Sequence, residues 1–170
     1  VINFGIIYGM SSYGLAKELG ISPKSAGAFI ENYFKKYKGV KTCLERILTE
    51  AQEQNYVSTL MKRRRYIPEI NSKNMTVRQF AERTAINAPI QGTAADLIKI
   101  AMLRISDRLE QENLKAKMII QVHDELVFEV PEKELDAVAQ MVGKEMENVM
   151  ELTVPLKVEI HWGKTWNEAH

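Results

Sequence analysis

Two β-rich runs in the second half of the chain constrain its fold most. Residues 117–122 and 126–130 are separated only by His123, Asp124 and Glu125. This spacing predicts two strands joined at a sharp bend. Residues 154–162 then alternate apolar and polar side chains, which predicts a third, half-buried strand. The second half is therefore expected to form a three-stranded antiparallel sheet covered by helices.

The first half is expected to be mostly helical. Ser22 and Pro23 predict a helix start, because a capping hydroxyl precedes proline at the first helical position, and Gly39 should end that helix. Two short strands, residues 56–60 and 66–70, should flank a turn at 61–65. A helix from about residue 76 to 87 should stop or kink at Pro89, and a longer helix should follow. The expected fold class is α+β, a helical part followed by an antiparallel sheet covered by helices.

Charge is divided unevenly along the chain, although its total is only +1. Residues 1–85 contain 14 Lys and Arg against 7 Asp and Glu, a net of +7. Residues 86–170 contain 9 against 15, a net of −6. Such asymmetry is expected where one part meets phosphate and the other holds carboxylates. Chance clustering on solvated faces is the alternative.

Composition excludes several classes of protein. With 45% hydrophobic and 26% charged residues the chain is globular and not disordered. No apolar run approaches the roughly 20 residues of a membrane span, so no membrane partner is expected. A lone Cys43 excludes an internal disulfide and fits a reducing, cytoplasmic location. The opening VINFGIIYGM has no helix start before it, so a piece of a larger protein is expected.

The adjacent acids Asp124 and Glu125 are the sharpest candidate for chemistry. They lie at the bend between the two β-rich runs, in QVHDELV. Mg²⁺ prefers hard oxygen ligands, often one or two carboxylates together with substrate phosphate. This pair is therefore a candidate metal site. Taken alone, the tripeptide is more often a simple polar turn.

A second motif, NAPIQGTAAD, contains hydrogen-bonding side chains around a helix junction. Asn87 and Gln91 each donate and accept hydrogen bonds, and Arg83 precedes Asn87 by one turn. Together they would suit the minor groove of a duplex, where every base pair presents similar acceptors. A helix-end cap is the alternative.

Two further motifs concern cations and aromatic rings. Arg63 and Arg64 belong to the run KRRR at the predicted hairpin tip, for which a nucleic-acid backbone is the natural partner and a solvated loop the alternative. In NFGIIYG, Phe4 and Tyr8 are four residues apart and should share one helical face. They are candidates for stacking on a base, although such residues are more often core.

The motifs NFGIIYG, RRRYIP, ERTAINAPIQGTAAD and QVHDELV occur in this order. Together they strongly resemble the C-terminal part of family A DNA polymerases of the bacterial type, over essentially the whole chain. The resemblance implies that residues 1–82 form part of a fingers subdomain and residues 83–170 part of a palm subdomain. It implies an enzyme that adds deoxynucleoside monophosphates to a primer 3′ end by two-metal phosphoryl transfer, with Mg²⁺ as cofactor.

The resemblance also implies roles for individual residues. Phe4 matches the residue beneath the nucleotide sugar, and Tyr8 matches the tyrosine at the templating position. Asp124 matches the palm aspartate that binds both metals, with Glu125 beside it. The residues implied to contact primer–template DNA are Arg83, Asn87, Gln91 and His123.

Two family features are missing from the sequence. One is the second metal-binding aspartate, in a motif like DYSQIELR, and the other is the phosphate-binding lysine before NFGIIYG. The metal site is therefore expected to be incomplete and the chain inactive alone. Expected partners are primer–template DNA, deoxynucleoside triphosphates and the remainder of the polymerase. An unpaired sheet edge also predicts self-association.

Two other functions stay open. A non-catalytic DNA-binding module would bind duplex DNA in a salt-dependent way and would not need Asp124. A metal-dependent hydrolase would be built on His123, Asp124 and Glu125, with His161 and His170 as the remaining histidines.

Overall fold

The computed structural model describes residues 2–169, apart from the side chain of Phe4. Helices and strands alternate irregularly within this range. In chain order they are α1 (Ile2–Ile7), α2 (Ser12–Leu19), α3 (Pro23–Lys36), α4 (Lys38–Gln54), β1 (Tyr56–Ser58), β2 (Arg64–Tyr66), α5 (Met75–Gln111), β3 (Lys117–Val122), β4 (Glu125–Glu129), α6 (Leu135–Glu147) and α7 (Trp166–Ala169). Short 3₁₀ turns at Pro68–Asn71 and Glu132–Glu134 precede α5 and α6.

The chain divides into two compact units, residues 1–93 and 94–170. The division falls inside α5, which is continuous through it. Each unit contains one antiparallel hairpin among helices, β1–β2 in the first and β3–β4 in the second. This confirms the α+β class. The expected subdomain boundary after residue 82 concerns the parent protein and stays a prediction.

Helices α1 to α3 share a small core of Ile6, Leu15, Ala16 and Ala26. The Ser22 hydroxyl accepts a hydrogen bond from the Ser25 amide at 3.1 Å, and Pro23 opens α3, so the predicted helix start is confirmed. The prediction that Gly39 ends this helix is wrong. Tyr37 leaves the helical region at φ −106° and ψ 62°, whereas Gly39 lies inside α4.

A second core in the first unit joins α4, the β1–β2 hairpin and the start of α5. The hairpin pairs Tyr56 with Tyr66 and Ser58 with Arg64. Its turn contains no glycine because Lys62 adopts the left-handed conformation, with φ 65°. Both strands are shorter than predicted. Pro68 cannot donate to a strand ladder and opens a 3₁₀ turn instead.

The predicted stop at Pro89 is wrong, because one helix of 37 residues, α5, contains this proline, and the predicted kink there stays a prediction. Proline removes one helical hydrogen bond. The helix continues because Ala81 and Ala85, before the proline, are buried in the second core. Despite its length α5 is not apolar enough to cross a bilayer, and neither is any other helix among the described residues.

The second unit packs α6 and the β3–β4 hairpin around the second half of α5. Its core contains Ile105 and Leu109 from α5 and Val138 and Val142 from α6. Arg108 on α5 donates to Glu145 on α6 at 2.9 Å and also pairs with Glu112. The hydrogen bond to Glu112 raises the pKa of Arg108 above its usual value.

The prediction of a third strand at residues 154–162 is wrong, since this segment has no strand pairing. Leu156 packs against the core of the second unit, and the Val158 amide donates to Glu147 at 3.1 Å. The Ile160 side chain lies against Gly143. An alternating pattern also suits an extended segment with one side packed on a helix, and α6 supplies that partner here.

Candidate functional site

The β3–β4 hairpin presents Asp124 at an exposed tip. Val122 and Glu125 form the last pair of the ladder, so His123 and Asp124 alone make the turn. His123 adopts a positive φ of 51°, and the Gln121 side chain donates to its carbonyl at 2.6 Å. The strand pairing and this hydrogen bond define a two-residue turn on which Asp124 is exposed to solvent.

The acidic residues at this tip supply part of a metal site. Asp124 is exposed in the turn, and Glu125 begins β4 directly after it. Hard carboxylate oxygens suit Mg²⁺. Within residues 2–169, however, no three His, Cys, Asp or Glu side chains gather into a group that would hold a metal ion. The tip therefore fits a metal ion that takes further ligands from elsewhere.

In the first unit, a polar face of α5 carries Arg83, Asn87 and Gln91. Their spacing of four residues places them on successive turns of one side of the helix. Arg83 and Gln91 are exposed, whereas Asn87 is half-buried. The Asn87 Oδ1 atom is buried and has no hydrogen-bond partner among the described residues. The Asn87 and Gln91 amides and the Arg83 guanidinium give this face hydrogen-bond donors.

The three hairpin arginines lie beside this face of α5. Arg63, Arg64 and Arg65 line a cleft together with Asn87 and Gln91. The position of two of them differs from the prediction, because Arg64 and Arg65 belong to strand β2 and not to the turn. The concentration of positive charge next to hydrogen-bonding side chains is appropriate for binding a polyanion.

Two of these arginines are held by specific contacts. The Arg63 guanidinium donates to the Gly92 carbonyl at 2.9 Å. The Arg64 guanidinium lies over the Tyr56 ring, 4.6 Å from its centre, and Tyr56 contacts Tyr66 edge to face across the hairpin. These contacts fix the arginines on the cleft wall. Sequence reasoning missed Tyr56 and Gly92, because both contacts depend on pairing across the fold.

The end of the NFGIIYG motif lies beside the same polar face of α5. Gly9 has φ 81°, and a methyl group added there would lie 3.2 Å from Cγ of Arg83. Helix α1 ends at Ile7 and Tyr8 lies in the following turn, and the sharing of one face by Phe4 and Tyr8 stays a prediction. The side chain of Phe4 lies outside the described residues. The first unit thus brings the predicted arginine and amide residues together with the end of this motif.

Comparison with known proteins gives one consistent family. Residues 1–168 match DNA polymerase family A. The chain is 52% identical over 168 residues to DNA polymerase I of Bacillus caldotenax, and 51% identical over 168 residues to that of Bacillus subtilis. Both alignments cover 99% of this chain and 19% of the relative. The chain therefore spans about a fifth of the length of these relatives.

A solved structure agrees with the sequence relatives. The POL domain of Pol1 from M. smegmatis, in complex with DNA primer-template and dNTP, superposes with a TM-score of 0.96 and 43% sequence identity. The superposition covers 99% of this chain and 30% of that chain.

Proposed function

The chain belongs to DNA polymerase family A, and from this premise we propose that it is part of a template-directed DNA polymerase. The whole enzyme would add deoxynucleoside monophosphates from triphosphates to the 3′ end of a primer. Residues 1–82 would contribute part of the fingers and residues 83–170 part of the palm. The observation that carries the proposal is Asp124 at the exposed tip of a paired hairpin, because phosphoryl transfer needs a carboxylate that a metal ion and substrate can reach.

We propose that Asp124 and Glu125 would hold Mg²⁺ together with a carboxylate from the remainder of the polymerase. Bound Mg²⁺ supplies activation of the attacking oxygen and stabilisation of the leaving oxygen. The hairpin would position the two carboxylates, because they lie at its two-residue turn and at the strand residue that follows it. His123 would contact the primer terminus from the same turn.

The polar face of α5 would hold the primer–template duplex. Arg83, Asn87 and Gln91 offer donors along one side of the helix, and the minor groove presents acceptors that are common to all correct base pairs. These residues would therefore register the shape of a pair without reading its sequence. Arg63 and Arg64, beside this face, would contact phosphates, whose neutralisation supplies affinity.

The incoming deoxynucleoside triphosphate would meet the NFGIIYG segment. We infer that Phe4 lies beneath its sugar and that Tyr8 stacks at the templating position. Aromatic rings bind bases of any sequence by stacking, which suits an enzyme that must accept all four nucleotides.

The chain alone would not extend a primer, because its described residues assemble no group of three metal ligands. We place the enzyme in the cytoplasm of a bacterium.

The experiment replaces Asp124 by Asn in the whole polymerase. This change keeps shape but removes the charge on which metal binding depends, so primer extension should fall by about a thousandfold or more. Primer–template binding should change less than threefold. The matched control is Asp107→Asn, an exposed aspartate on α5 in the same unit, which should extend normally. Near-normal extension by the Asp124 variant would contradict the proposal.

The second candidate function, a DNA-binding module without chemistry, is favoured by the arginines on the β1–β2 hairpin. It predicts that DNA affinity falls steeply with salt and that no variant of Asp124 has any effect. A metal-dependent hydrolase using His123 would instead cleave simple phosphodiesters with added Mg²⁺ or Mn²⁺. Loss of extension with retained DNA binding in the Asp124 variant distinguishes the polymerase from both.

A further inference from the structure

The Thr93 hydroxyl connects the turn of the β1–β2 hairpin to helix α5. It donates to the Pro89 carbonyl at 2.6 Å and accepts a hydrogen bond from the Leu60 amide at 3.1 Å. Leu60 lies in the hairpin turn, 33 residues earlier in the chain. One side chain thus satisfies a backbone group on each of the two elements.

The same turn is fixed to the helix by two neighbouring contacts. The Arg63 guanidinium donates to the Gly92 carbonyl at 2.9 Å. The buried Thr59 side chain packs so closely on Gly92 that an added methyl group would lie 2.7 Å from its Cγ2. Thr59 also accepts a hydrogen bond from the Arg63 amide at 3.2 Å, which holds the turn in shape. The turn and the helix therefore form one tightly packed contact.

This contact lies beside Pro89, the proline inside α5. Pro89 has no amide hydrogen, so the helix lacks one hydrogen bond there, and proline is the commonest cause of a helix bend. Asn87 lies before the proline and Gln91 after it. A change of bend at this point would separate the two side chains that are proposed to contact the same duplex.

We propose that Thr93 is a positioning residue that fixes Gln91 relative to Asn87 by holding the hairpin turn against α5. The inference rests on the proposed function, because it assigns Thr93 a role in holding primer–template DNA. Thr93 does not contact the DNA in this proposal. It acts through Gln91.

The test measures primer–template affinity and primer extension by the whole polymerase with Thr93→Val, Thr93→Ser and wild-type sequences. Valine keeps the shape of threonine and removes the hydroxyl, so affinity should fall about three- to tenfold, as expected for one or two lost hydrogen bonds. Serine keeps the hydroxyl and should restore affinity to within twofold. Thr49→Val removes an equivalent hydrogen bond to the Glu45 carbonyl on α4 and should have no effect on affinity.

A double-mutant cycle with Gln91→Ala separates positioning from general stability. If Thr93 acts through Gln91, Thr93→Val should cause no further loss of affinity in the Gln91→Ala background. An equal loss in both backgrounds, or wild-type affinity of Thr93→Val, would overturn the inference while leaving the polymerase proposal intact. If the valine variant does not fold, Thr93→Ala, with the strongest helix former, takes its place in the cycle. Absence of extension by the wild-type polymerase would instead overturn the proposed function, and this inference with it.

Discussion

Gly9 and Arg83 lie in direct contact, 74 positions apart in the sequence, so that any side chain at Gly9 would press on the Arg83 methylene groups. This contact joins the turn after α1 to the polar face of α5. Gly9 also has φ 81°, a conformation that side chains other than glycine rarely adopt.

Gly9→Ala should therefore destabilise the protein by about 1–2 kcal/mol through backbone strain, and should also displace Arg83. Gly20→Ala is the matched control, because Gly20 has φ 65° with no atom within 4 Å of an added methyl group. Both variants should lose similar free energy of unfolding in urea, but only Gly9→Ala should weaken primer–template binding. Equal binding by the two variants would contradict the role proposed for Arg83.

Local signals predicted much of the fold. The Ser22 hydroxyl and Pro23 act within one turn of α3, and the β3–β4 hairpin connects neighbours in sequence, so short windows contain the relevant information. Contacts between distant segments account for two of the errors. Helix α5 continues through Pro89 because it is stabilised by packing. Residues 154–162 pack on α6. Neither partner is visible in the local pattern.

In the candidate site the sequence predicted positions, and the roles of the residues stay predictions. The position of Asp124 at a turn followed from the two β-rich runs around it. The contact of Thr93 had no local signal, because its partner in the hairpin turn is 33 residues away. The one available hint was Gly92, since a glycine inside a helix often has a packing reason, and here the Thr59 side chain packs on it.

Arg64 should contribute one phosphate contact to DNA binding. Arg64→Gln removes its charge and should reduce the slope of log affinity against log salt by about 1, with affinity falling equally for all sequences. Arg46→Gln is the control, because Arg46 lies on α4 and only approaches Glu50, at 3.9 Å. Fluorescence anisotropy with a labelled duplex at several salt concentrations measures both slopes. An unchanged slope for Arg64→Gln would exclude it from the interface.

Helix α5 provides a matched pair of residues for testing the core of the second unit. Ile105 is completely buried, whereas Leu103, two positions earlier, is 67% exposed. Ile105→Ala should cost about 2–5 kcal/mol, because it removes buried methyl groups and leaves a cavity. Leu103→Ala should change the free energy of unfolding by less than about 0.5 kcal/mol. Chemical denaturation followed by circular dichroism checks both values, and similar losses in the two variants would contradict the packing of α5.

The isolated 170-residue chain should self-associate through the exposed surface of its second hairpin. Ile119 and Ile120 on β3 are 53% and 40% exposed, and the sheet has only two strands. An apolar strand without a neighbour on one edge pairs readily with another chain. Sedimentation velocity should show a mass that rises with concentration.

Ile119→Lys should reduce this association, since charge on an edge opposes pairing. Met75→Lys, at an exposed residue at the start of α5, should not reduce it. A chain that remains monomeric at all concentrations would show that β3 is not an association surface, and the polymerase proposal would be unaffected because it does not depend on this edge.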